Sequence, residues 1–180
     1  MQTLRAVIAI VWLVFWAGWL VAATSARRST GKRRSLRLNG LSAIAVIVLL
    51  RFFRGGDVIV HSVVLGAIGA AVLGCGLGVA IWARVVLGRN WGMPMTSKDE
   101  PELITGGPYG WVRHPIYSGL LLAFLGTALA TSLYGLIVAV VLGGFFVYAA
   151  TVEERNLAAT FPSSYPQYRA STKMLIPFLL

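Results

Sequence analysis

The chain has 180 residues, 57% of them hydrophobic and only 12% charged, with a mean hydropathy of +0.76. That excludes an ordinary soluble domain, whose apolar share is about 45–50%. The formal charge of +10 would point a soluble chain towards nucleic acid, but here Arg27, Arg28, Lys32, Arg33, Arg34 and Arg37 crowd one loop with no aromatic residue between them for base stacking.

The first predicted element runs roughly from Leu4 to Thr24. Within it, Ala6 to Ala23 carries neither charge nor proline, and about 18 such residues suffice to cross a bilayer. A basic start and small residues at Ala22 to Ala26 resemble a signal peptide. The long core, its Trp12, Trp16 and Trp19, and the basic cluster behind it predict a retained span instead. The basic loop marks the cytoplasmic side, where Lys and Arg accumulate. Asn39-Gly40 opens a shorter apolar run, Leu41 to Phe53, with Arg51 placed to snorkel to the interface. Arg54-Gly55-Gly56-Asp57 is a turn.

Val58 to Leu87 is the third predicted span, apolar apart from His61 and Arg84. Gly66, Ala70, Gly74 and Gly78 recur every four residues, predicting a face of small side chains for close helix packing. Gly74, Gly76 and Gly78 do not form a nucleotide loop, because no strand precedes them. Cys75 is the single cysteine and has no intramolecular partner. His61 and His114 share no ligand-like spacing, so no metal site is expected.

Arg84 to Arg113 is the longest polar region, broken at Pro94, Pro101 and Pro108 and carrying Asp99, Glu100 and Glu102. Ile116 to Thr131 and Tyr134 to Val152 are the fourth and fifth spans. The few residues around Ser132 that join them require an antiparallel helical hairpin. The remaining Glu153 to Leu180 reads as an amphipathic tail interrupted by Pro162, Pro166 and Pro177. Thirteen basic residues fall on one side of this arrangement and Arg5, Arg51 and Arg54 on the other. The expected fold is therefore all-α and integral to a membrane, with about five transmembrane helices, N-terminus out and C-terminus cytoplasmic.

Two stretches carry chemistry. In GPYGWVRHPIYSG, residues 107–119, Gly107 and Pro108 forbid a regular helix, and Pro115 suits a first helical turn. Tyr117 follows His114 by three residues, so both project from nearly the same face. In the second stretch Glu153 and Glu154 end the fifth span, where carboxylates are costly unless paired or hydrated. The hairpin returns them to Arg113 and His114. Two readings stand: a salt bridge closing the hairpin at a membrane edge, or a polar pocket open to a cytosolic cofactor and a membrane-dissolved substrate.

LITGGPYGWVRHPIYSG, the hairpin, EERNLAATFPSSYPQYRA and a late IPF, with RVVLGRNW upstream, resemble the isoprenylcysteine carboxyl methyltransferase family. Its wider group includes bacterial members and is similar to phospholipid N-methyltransferases. The resemblance runs from Arg84 to Phe178, implying N-terminal transmembrane helices over 1–83 and a catalytic region over 84–180. It implies S-adenosylmethionine bound without a Rossmann domain, in a pocket made by the C-terminal hairpin and the amphipathic tail. Carried over by motif, the cofactor contacts are Pro101, Glu102, Leu103, Ile104, Tyr109, His114, Pro115, Ile116, Tyr117 and Glu153. Arg113 and Glu154 shape the acceptor side as catalytic residues, and Tyr165, Tyr168 and Arg169 close the pocket.

Family members that methylate a prenylcysteine carboxylate resemble one another in an arginine four residues before the paired glutamates; Ala149 stands there in this chain. The residues around Pro94 depart from that pattern as well. The implied activity is methyl transfer to a lipophilic acceptor dissolved in the bilayer, and the short termini without eukaryotic targeting signals lead to the expectation of a bacterial inner membrane. An NADPH-dependent membrane reductase is the alternative enzyme, disfavoured because Ile116-Tyr117-Ser118-Gly119-Leu120 lacks the asparagine and glutamate of that signature. A non-enzymatic membrane protein is the third reading.

Overall fold

Apolar runs, helix-capping residues and prolines decide where each element starts and stops. The computed structural model describes residues 2–23, 60–88 and 102–177. Among these the regular elements are α1 (Gln2–Ala23), α2 (Val63–Leu87), a 3-10 turn (Gly107–Gly110), α3 (Pro115–Thr131), α4 (Tyr134–Thr160) and α5 (Tyr165–Ser171). α1, α2 and α4 are long and apolar enough to cross a membrane, and α3 is a shorter apolar helix. The basic loop, the run Leu41 to Phe53, the turn at Arg54 to Asp57, Pro94, Pro101 and Phe178 lie outside the described residues.

Two expected boundaries move. α2 begins at Val63 rather than Val58 because the Ser62 hydroxyl accepts from the Leu65 amide at 3.3 Å, a capping bond on the first turn. α4 does not stop at Val152 but continues to Thr160. Glu153 to Thr160 contains no glycine or proline, and its Glu, Arg, Leu and Ala are good helix formers. The two carboxylates therefore project from a helix, not from a tail. The α3–α4 hairpin forms as expected, with Ser132 and Leu133 between the helices.

α2 and α3 meet backbone to backbone. The buried residues of α2 include Gly66, Gly69, Leu73, Gly76, Ala80 and Ala83 in one row, with Leu77 and Arg84 beside it. Gly74 and Gly78, expected in the packing row, have nothing within 4 Å of an added Cβ among the described residues. The reason is angular. Each step of four residues overshoots one helical turn by about 40°, whereas alternating steps of three and four hold one heading. An added Cβ at Gly69 would stand 2.6 Å from the Gly126 carbonyl oxygen, and one at Gly76 would stand 2.6 Å from that of Gly119.

α1 leans on this pair through Trp12. Its indole N–H donates to the Thr127 hydroxyl at 3.0 Å, and its ring stacks on Phe124 with centroids 4.8 Å apart. Arginines satisfy carbonyls that helix ends leave open. At one end of the bundle, Arg5 Nη2 donates to the Thr131 carbonyl at 2.8 Å. At the other, Arg84 donates from Nη2 to Ala22 O at 2.7 Å and from Nη1 to Gly88 O at 2.8 Å. α1 and α2 consequently run parallel, and both finish at the end where α3 begins and the polar turns of α4 emerge.

Candidate active site

That end is built first by the approach to α3. Gly107 takes φ 58° in the 3-10 turn, close to Trp82 and Val86 of α2, where a Cβ would stand 3.1 Å from a Val86 methyl. The chain then runs through Trp111 to His114 beside the segment following α5. Val112 and Lys173 form an isolated parallel bridge. The Arg113 amide donates to Lys173 O at 2.8 Å, the His114 amide to Met174 O at 3.1 Å, and the Lys173 amide to Trp111 O at 3.4 Å. The Ser118 hydroxyl hydrogen-bonds the carbonyls of His114 and Leu175. Residues 172–175 thus form a strap across the start of α3.

α3 and α4 bring the side chains together. The Tyr117 hydroxyl donates to Glu153 Oε1 at 2.6 Å. His114 Nδ1 stands 3.4 Å from Glu153 Oε2, and its ring stacks on Tyr117 at 5.6 Å. Tyr117 in turn stacks on Phe146 of α4 at 4.8 Å. Glu154 faces three cationic or cation-forming groups: Arg113 Nε at 2.7 Å, His114 Nε2 at 3.4 Å and Arg169 Nε at 3.6 Å. Among the described residues, Glu154 at 3.4 Å is the polar group that His114 Nε2 faces. Arg113 Nη1 also donates to the carbonyls of Arg169, at 3.2 Å, and Thr172.

Burial works against a charged His114, but the flanking carboxylates of Glu153 and Glu154 prevail and hold its pKa above the ordinary imidazole value. The tyrosines shift because burial disfavours the phenolate. Tyr168 is pushed up to about 12 by burial, with Arg113 acting the other way. Burial raises Tyr109 as well, reinforced by Tyr168 and Glu153. Tyr165 is raised by burial and then by Glu154. Its hydroxyl is enclosed with no hydrogen-bond partner among the described residues.

Of the residues expected in the site, the structure gathers Arg113, His114, Tyr117, Glu153 and Glu154. Tyr165, Tyr168 and Arg169 lie over them from α5, and the Tyr168 hydroxyl ties Tyr109 to this group by donating to its carbonyl at 2.8 Å. Pro115 is buried as the first residue of α3, and Ile116 packs against the core. Glu102, Leu103 and Ile104 lie on the approach to the 3-10 turn, Glu102 exposed and the other two half-buried. Ala149 is fully buried in the core. Phe146, Ser118 and the 172–175 strap were not foreseen. Phe146 was findable, since it precedes Glu153 by seven residues and so shares its helix face.

The chain matches the sequence profile of the phospholipid methyltransferase family over residues 64–164. It is 36% identical over 101 residues to the protein-S-isoprenylcysteine O-methyltransferase of Schizosaccharomyces pombe, a match covering 54% of this chain and 43% of that protein. It is 39% identical over 70 residues to the methanethiol S-methyltransferase of Mycobacterium tuberculosis, covering 39% of this chain and 28% of that one. The chain thus matches less than half the length of either relative. The solved structure of the eukaryotic intramembrane Ras methyltransferase, isoprenylcysteine carboxyl methyltransferase, is similar in fold. Its TM-score is 0.61 at 23% identity, covering 83% of this chain and 54% of that one.

Proposed function

Because the chain belongs to the phospholipid methyltransferase family, we propose that it is an integral membrane methyltransferase that uses S-adenosylmethionine and acts on a lipophilic acceptor dissolved in the bilayer. The observation that carries this reading is the convergence of His114, Tyr117 and Glu153 at the end of the hairpin. S-adenosylmethionine supplies a methyl group already activated on a sulfonium, so the protein's task is to orient and dehydrate.

The residues fit such a cofactor. Glu153, with 27% of its side chain exposed, offers a carboxylate to the cofactor's cationic amino or sulfonium group. Tyr117 offers an aromatic ring edge beside it. Tyr109 flanks the site on the α2 side, Glu102, Leu103 and Ile104 lie on the approach to it, and Pro115 marks where α3 starts. Tyr165, Tyr168 and Arg169 cover it.

The relatives named above methylate an isoprenylcysteine carboxylate or methanethiol. Ala149 supplies no cation where the carboxylate-methylating members carry an arginine, which favours an acceptor without that anionic group. The parallel course of α1 and α2 supports a return of the chain across the membrane between them. With the basic loop inside, this gives five spans, the N-terminus out and the site at the cytoplasmic face of a bacterial inner membrane.

Equilibrium titration of the detergent-purified protein with S-adenosylmethionine tests the reading, with His114→Ala beside it. Saturable binding that the variant loses supports it. A folded sample that does not bind refutes it.

A further inference from the structure

Arg113 spends its side chain on two separate elements. Nε holds Glu154 of α4 at 2.7 Å, and Nη1 reaches the carbonyls of Arg169 and Thr172. The Arg169 carbonyl belongs to the last turn of α5. The amide four residues on, at Lys173, donates instead to Trp111, so Arg113 satisfies an acceptor the short helix leaves open. The side chain is 8% exposed. A planar guanidinium can serve a carboxylate and two carbonyls at once, whereas an ammonium on a flexible stem acts as a single point charge.

What Arg113 fastens is the strap that holds His114. Lys173 O and Met174 O receive the backbone amides of Arg113 and His114, and Leu175 O receives the Ser118 hydroxyl one turn into α3. The His114 ring is then located from two directions: its backbone by the strap, and its nitrogens by Glu153 and Glu154, each at 3.4 Å. Loosening the strap frees the backbone half of that constraint.

We propose that Arg113 is a positioning residue. It pins residues 172–175 across the start of α3 and so sets the His114 ring against Glu153, without touching the methyl acceptor. The inference rests on the methyltransferase reading for its binding arm only.

The test uses the full chain in detergent and three readouts: affinity for S-adenosylmethionine, hydrogen exchange at the Arg113 and His114 amides, and melting temperature. Arg113→Gln is expected to weaken cofactor binding at least tenfold and to speed exchange at both amides at least tenfold. Arg113→Lys should fall between it and the parent. Lys173→Pro supplies an independent route, because it removes the Lys173 amide donor while leaving Arg113, Glu154 and Arg169 in place. Thr172 already has the extended conformation, φ −129° and ψ 160°, that precedes proline without strain.

Lys173→Pro should reproduce both effects, and the double variant should be no worse than the weaker-binding single, because both act through one strap. If Arg113→Gln does not fold, Lys173→Pro carries the same test. Weakened binding with unchanged amide exchange, or multiplicative effects in the double variant, would show that Arg113 meets a ligand directly and overturn the proposal. Unchanged exchange in a folded Arg113→Gln also overturns it. If the parent itself fails to bind S-adenosylmethionine, the functional reading falls, while the exchange arm still decides whether Arg113 holds the strap.

Discussion

Glu153→Gln isolates charge from shape at the residue proposed to meet the cofactor's cation. The amide keeps an oxygen for the Tyr117 hydroxyl, now 2.6 Å from the carboxylate. A full ion pair at about 4 Å in a protein-like medium of effective dielectric about 20 is worth roughly 4 kcal/mol. The Glu153 side chain is 27% exposed, so water screens part of that, and the range for hydrogen bonds to charged groups, about 1.5–3 kcal/mol, is the better guide. About 2 kcal/mol corresponds to a roughly thirtyfold rise in Kd. Calorimetric titration with S-adenosylmethionine and with S-adenosylhomocysteine, whose sulfur is neutral, locates the contact. A loss confined to the former puts Glu153 at the sulfonium, and an equal loss for both puts it at the amino group. A change of less than threefold for either ligand, in a variant that melts like the parent, refutes the assignment.

Tyr117→Phe retains the ring stacks but loses the charge-assisted bond to Glu153, so S-adenosylmethionine affinity should fall about tenfold; unchanged titration curves would remove Tyr117 from the site. The raised His114 pKa makes stability depend on pH. The stabilisation from its charged form is complete below about 6.5, the unfolded value, and is lost as pH rises through the higher folded value. The ligand-free melting temperature should therefore decline across that window in the parent and flatten in His114→Gln, and a parent whose melting rises there contradicts the sign. Gly76→Leu drives a side chain into the α3 backbone and should cost about 1–3 kcal/mol or more, read as a lowered melting temperature. Gly74→Leu meets nothing within 4 Å among the described residues and should be silent.

The hairpin was legible because two apolar runs joined by a few residues have one compact solution, and the segment 113–117 because Pro115 marks a helix start and His114 and Tyr117 are three residues apart. The end of α4 was not, since apolarity reports membrane and not helix: Glu153 to Thr160 stay helical after the apolar run is over. The α2 packing face was read correctly at Gly66 and drifted out of phase beyond it, because the glycines were taken at a fixed step of four when helix geometry selects Gly69 and Gly76. The strap was hidden for a different reason. Its bonds to α3 run through the carbonyls of Lys173, Met174 and Leu175, which any residue supplies, and the packing of Met174 and Leu175 into the core follows no periodicity that a short segment could show.

The adjacent glutamates then divide their work by geometry. Successive residues on a helix point about 100° apart, so Glu153 and Glu154 cannot address the same group in the same way. Glu153 shares the face of Phe146, which stacks on Tyr117, and so looks along α3 towards the aromatic side of the site. Glu154 looks towards α5 and the strap, enclosed among Arg113, His114 and Arg169 and only 6% exposed. His114 lies between them, with one nitrogen turned to each. A carboxylate surrounded by cations holds structure together, and the more exposed one beside a phenol and an imidazole is suited to a cationic ligand. On this division, charge removal at Glu154 should first loosen the strap, and charge removal at Glu153 should first weaken the cofactor.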